Sequence, residues 1–271
     1  MSFYVTLPSN IKTPNNSISN FVTRLGQRFH LDESWVVALA EISYTKSWYN
    51  VLYEHKISLR DEIGNSYSLN NCEVSPGFYP TAEELIDSIN EQIQQSKKFN
   101  NLPNIEYNKY SNRVIIQSGI HPETQRFIYP NLGKEIEDIL GLREDVVKTY
   151  YDVLDPDVSI TTVLDNKLYV EGIERSLRPV EINAGYHSLY VYCNIIEPTF
   201  IGDTCAQVIR VVEVPDKPFG KQCVLKYDTL YYHKLMCKEF ESIEISIKDD
   251  TGNNVPFSFG RAILVLHFKK L

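Results

Sequence analysis

The sequence predicts an all-β protein, a two-sheet sandwich or jelly roll interrupted by one small α+β insertion. Three observations carry this. Strand-like segments recur throughout the 271 residues, separated by loops rich in Pro, Gly and Asn. Only two stretches have helical spacing, and both fall between residues 76 and 145. The regular crossover helices that a parallel α/β sheet requires are absent.

Phe3, Val5 and Leu7 alternate with polar residues or Tyr, the pattern of a short strand or a docking arm. The next segment, PSNIKTPNNSISN, is a loop by its Pro, Asn and Ser content. Phe21 to Leu25 alternates, and WVVALAEI at 35–42 reads as a strand covered on both faces. Residues 51–59 and 66–74 are weaker strand candidates around a Gly64-Asn65 turn. Thr81 is placed to cap a helix, with Glu84 three residues later. Leu85, Ile86, Ile89 and Ile93 then share one helical face, up to about Lys97. Two short strands, 104–108 and 113–117, precede a second helix at 132–140 that Gly141 stops. Strand pattern resumes at 158–163, 168–170, 187–193, 206–214, 223–227, 240–247 and 262–268. The expected organisation is therefore 1–75, the first part of the sandwich with an N-terminal arm; 76–145, an inserted α+β subdomain; and 146–271, the second part.

Bulk composition narrows the function. Hydrophobic residues make up 43% and charged residues 23%, as in a soluble globular protein. The net charge of −8, with Lys and Arg scattered, argues against a nucleic-acid coat, which needs positive stripes to neutralise phosphates. The five cysteines form no CxxC, and MSFYVTLP lacks the basic-then-apolar pattern of a secretory signal, so a reducing compartment is expected. No stretch approaches the roughly 20 apolar residues that span a bilayer.

The one motif that suggests catalysis is Asp250-Thr251-Gly252, the triplet that carries the carboxylate of aspartic proteases. That chemistry needs two carboxylates sharing a proton, and the chain has no second DTG or DSG. Lys248 and Asp249 lead into it, and Asn253-Asn254 follow, so the expected role is a tight turn. On its upstream side Ile243, Ile245 and Ile247 alternate with Glu244, Ser246 and Lys248. The six histidines have no metalloenzyme spacing, no GxSxG is present, and the glycine-rich phosphate signatures are missing. The expectation is a non-enzyme without a cofactor. Trp35, Val37, Leu39, Ile245, Ile247, Leu264 and Leu266 are expected in the core.

Several blocks together resemble a known family: FYVTLPSN at 3–10, WVVALAEISYTKSWYN at 35–50, GFYPTAEELIDSIN at 77–90, SLYVYCNIIEPTFIGDTCAQVIRVV at 188–212, and IEISIKDDTGNNVPFSFGRAILVLHF at 243–268. The chain resembles the minor capsid, or penton, proteins of Polinton/Maverick elements and adintoviruses, and more distantly those of virophages. The resemblance implies a single jelly roll that forms homopentamers at the fivefold vertices of an icosahedral virion, beside a double-jelly-roll major capsid protein. It implies synthesis in the host cytoplasm with assembly there or in the nucleus, and a vertex face open to a host receptor or glycan. No catalytic residues and no specific nucleic-acid contact carry over. Candidate interface residues are Phe3, Tyr4 and Val5, for docking on a neighbouring subunit, and the aromatics Trp48, Tyr49 and Tyr186. The alternative is a β-sandwich that binds carbohydrate or a receptor.

Overall fold

The computed structural model describes residues 1–10, 15–32, 34–61, 63–143, 162–164, 167–170, 173–183 and 186–271. The chain divides into two compact units: Met1–Trp48 with Tyr186–Leu271, and Tyr49–Gly185. Both are mostly β, and each has its own apolar core.

The first unit opens with β1 (Ser2–Pro8), β2 (Asn20–His30) and β3 (Trp35–Thr45). The chain then enters the second unit through β4 (His55–Asp61) and β5 (Ser66–Val74), which is followed by helix α1 (Ala82–Gln95). Thr81 caps α1: its hydroxyl accepts a hydrogen bond from the Glu84 amide at 3.2 Å. Leu85, Ile86, Ile89 and Ile93 bury one face of the helix, as their spacing predicts. Thr81→Ala leaves that amide without its partner. We expect a loss of about 1 kcal/mol, read as a lower denaturation midpoint at unchanged slope.

Next come β6 (Asn104–Asn108), β7 (Arg113–Gln117), β8 (Gly119–Ile120), β9 (Phe127–Asn131) and the short helix α2 (Lys134–Ile139). Gly141 follows α2 with φ +69°. The strands β10 (Thr162–Leu164), β11 (Lys167–Val170) and β12 (Ile173–Arg175) complete this unit. Its sheets run β5-β4-β9-β8 and β10-β11-β12-β7-β6, all antiparallel. The strand expected at 158–163 lies outside the described residues up to 161.

The first unit resumes with β13 (Ser188–Cys193), the hairpin β14 (Thr199–Ile201) and β15 (Thr204–Ala206), then β16 (Val208–Glu213). It ends with β17 (Gln222–Lys226), β18 (His233–Lys234), β19 (Glu239–Lys248) and β20 (Ala262–Lys270). One antiparallel sheet has the order β1-β20-β3-β17, with β18 also on β3; the other is β16-β13-β19-β2. Side chains from both enclose one core, in which all seven residues expected from the sequence are buried. The unit is broadly jelly-roll-like.

The stretch 76–145 that the sequence sets apart lies within the second unit, which reaches from Tyr49 to Gly185. The strands at 51–59 and 66–74, expected in the sandwich, correspond to β4 and β5 of this unit. Ile57, Leu59, Leu69 and Val74 bury into the same core as α1, which fixes their allegiance.

Candidate interaction surfaces

The Asp250-Thr251-Gly252 triplet closes the turn that ends β19. Asp249 organises it: its Oδ1 accepts from the Thr251 amide (3.0 Å), the Thr251 hydroxyl (2.7 Å) and the Asn253 amide (2.8 Å). Gly252 takes φ +85°, and Asp250 is exposed. These bonds are those of an Asx turn. No group of three or more His, Cys, Asp or Glu among the described residues could hold a metal ion. Burial pushes the Cys193 thiol up to about 12 and raises Cys72 and Cys223 as well, so these three stay protonated at neutral pH and are poor nucleophiles.

Residues 3–5 sit on β1, which pairs antiparallel with β20 of its own chain from Ser2↔Lys269 to Pro8↔Ile263. Alternation sends Phe3 and Val5 inward and Tyr4 outward. Phe3 stacks on Phe268 (4.9 Å between centroids) and on Phe29 (5.5 Å). Tyr4 is 63% exposed and stacks on His267 at 4.5 Å. Tyr232 Oη lies 2.8 Å from the Nδ1 of that histidine. Burial, with help from the Lys269 charge, holds the His267 pKa below the usual imidazole value, which favours the neutral ring.

Trp48 and Tyr186 meet elsewhere in the first unit, with ring centroids 5.6 Å apart. Trp48 is only 3% exposed and also packs edge-on against Phe257 at 5.4 Å. Tyr186 is half-buried, and Tyr49, also half-buried, begins the second unit. The structure thus gathers Phe3, Tyr4 and Val5 on one strand and Trp48 with Tyr186 in a second group. Tyr4 presents the most open surface of the six.

Other surface features combine distant residues. Arg210 lies over Tyr227 at 3.5 Å and Tyr231 at 4.5 Å, and its Nη1 donates to the Thr229 carbonyl. Phe200, on the β14–β15 hairpin, is 88% exposed. Beside this hairpin a cleft of about 450 Å³ opens over the β13 and β19 strands, with Pro198, Cys205 and Ala206 along its hairpin side. Its floor was visible in sequence as the polar half of two alternating segments, SLYVYCN and IEISIK; its wall was not.

No protein-family model matches the sequence, and no curated protein matches it. Solved structures do. The mavirus penton protein, known from a crystal structure of its selenomethionine-labelled form, superposes over 100% of both chains with a TM-score of 0.52 at 10% identity. A chain from the 3.5 Å cryo-EM structure of the Sputnik virophage aligns over 99% of this chain and 98% of its own, with a TM-score of 0.44 at 11% identity. What this protein shares with the mavirus protein at that identity is the fold, along its full length.

Proposed function

We propose that the chain is a structural minor capsid protein that forms pentamers at the fivefold vertices of an icosahedral virion. The observation that carries this reading is the full-length match in fold to the mavirus penton protein. The strand order supports it. If the eight long strands of the first unit are lettered B to I along the chain, β1-β20-β3-β17 is B-I-D-G and β2-β19-β13-β16 is C-H-E-F. A single jelly roll has this strand order, which supports the reading. The sequence blocks point to a Polinton/Maverick or adintovirus source. In this reading the chain's partners are four further copies of itself and a double-jelly-roll major capsid protein, and its place is the virion, assembled in the host cytoplasm or nucleus. The inserted stretch 76–145 is, in this reading, the head that meets a host receptor or glycan. The fold serves packing and assembly rather than catalysis.

Five copies around an axis need a heterologous interface that closes. Of the six candidate residues we assign Tyr4 to it: its side chain is exposed and truncating it disturbs no core, whereas Phe3, Val5 and Trp48 pack into the core of the first unit. Sedimentation should give a particle of five times 31.3 kDa. Tyr4→Ala is expected to weaken the pentamer about tenfold, or about 1.4 kcal/mol, with monomer unfolding little changed. A monomer at every concentration, with and without the major capsid protein, would reject the assignment.

A further inference from the structure

The outer face of the β16-β13-β19-β2 sheet carries a recess. Tyr192 and Asn194, at the end of β13, share this face with Glu244, Ser246 and Lys248 of β19, because side chains alternate along each strand. Tyr192 stands opposite Ser246 in register. The β14–β15 hairpin, entered through Pro198, borders this floor and closes one side of the cleft.

The lining is held in place and still has free capacity. Asn194 accepts from the Glu244 amide at 2.9 Å through Oδ1. Gln207 donates through Nε2 to the carbonyls of Asn194 (3.1 Å) and Ile196 (2.8 Å). Those bonds fix both amides and leave Asn194 Nδ2 as a donor and Gln207 Oε1 as an acceptor. Lys248 Nζ sits 5.1 Å from the centre of the Tyr192 ring. Among the described residues, neither Glu244 nor Lys248 has an ion-pair partner. Four positions apart on one strand, their Cα atoms are about 13 Å apart along its axis, but the Lys248 ammonium lies over the Tyr192 ring, which stands opposite Ser246.

We propose that this cleft binds an oligosaccharide that ends in an acidic sugar. A sugar ring offers apolar C–H faces to an aromatic side chain and a rim of hydroxyls that both donate and accept. Tyr192 supplies aromatic surface beside the Lys248 ammonium, Asn194 and Gln207 supply fixed amide partners for hydroxyls, and Glu244 supplies a carboxylate acceptor. Lys248, the one cation of the lining, takes the carboxylate of the acidic sugar. Phosphate-rich ligands fit poorly, since they need several cations or a helix N-terminus, and a lipid tail would meet a carboxylate and two amides. This inference goes beyond the capsid reading and does not depend on it.

The test uses the full chain on an array of acidic and neutral oligosaccharides, followed by saturation-transfer NMR with sialyllactose and with lactose. Sialyllactose should bind, and lactose about tenfold more weakly. Lys248→Ala should cost about tenfold in sialyllactose affinity, the loss expected for one charge-assisted hydrogen bond. Glu244→Gln should weaken both sugars severalfold. Tyr4→Ala, on the other sheet, should change neither. The Lys248 and Glu244 side chains lie on the solvent face, so both variants should unfold with the wild type. Three results would overturn the proposal: no array member retained by the wild type, retention undiminished in both cleft variants, or equal binding of lactose and sialyllactose.

Discussion

Replacing Phe268 with alanine should destabilise the first unit by about 3–5 kcal/mol, among the largest effects expected of a single truncation in its core. Phe268 is fully buried on β20, between β1 and β3. Its ring stacks on Phe3 at 4.9 Å and on Phe240 at 5.9 Å. Phe240 in turn stacks on Phe29 at 5.7 Å, and Phe29 on Phe3. Four rings thus form a closed set, two from each sheet. Each is anchored to a paired strand, so the neighbours cannot collapse into the space a missing ring leaves. Phe268→Leu fills most of that space and should cost only about 1 kcal/mol. Chemical denaturation of both variants checks this; an alanine variant within about 1 kcal/mol of wild type would contradict the packing described.

The second large effect is expected at Gly141. A Cβ there would lie 2.3 Å from the Arg178 carbonyl oxygen and 3.0 Å from that of Pro179. The segment cannot easily retreat, because the amides of Leu177 and Arg178 both donate to the Gly141 carbonyl, at 2.8 and 3.1 Å. The backbone is also left-handed, at φ +69°. Gly141→Ala should therefore cost about 3 kcal/mol, combining a left-handed penalty of roughly 1–2 with a comparable steric one. Gly252 supplies the control. It has φ +85° but nothing within 4 Å of its Cβ position, so Gly252→Ala should show the backbone penalty alone, about 1 kcal/mol. Equal losses at the two sites would remove the steric argument.

Much of the fold was legible where a segment's own periodicity decides its structure. The strands at 66–74, 104–108 and 113–117 have the expected bounds, and Thr81 caps the helix it was expected to cap. Partnership was less legible. The alternation of β4 says which side chains point together but not which core receives them, and its pairing with β9 is decided by residues 67 to 73 positions downstream. β9 itself was hidden by Pro130, a residue that argues against a strand interior. Among the candidate contact residues, alternation foretold that Tyr4 would face away from Phe3 and Val5. Nothing in Trp48-Tyr49 foretold that the indole would be enclosed by Tyr44, Phe257 and Tyr186, which come from three separate stretches. The cleft depends likewise on residues 192, 207 and 244 converging, a relation that no local pattern encodes.

The position of β20 has a consequence for the order of events during synthesis. Among the described residues β1 finds its partner in β20, made long after it, and β3 needs the same strand on its other side. The first sheet therefore cannot close until β20 has been made, while the contiguous stretch 49–185, with its own core, is synthesised earlier. The inserted unit can fold while the edges of β1 and β3 wait unpaired. In that interval β1, with Phe3, Val5 and Leu7 on one side, is an open template. Its late capture by β20 separates a nascent chain that still exposes a sticky edge from a folded first unit whose edge is paired.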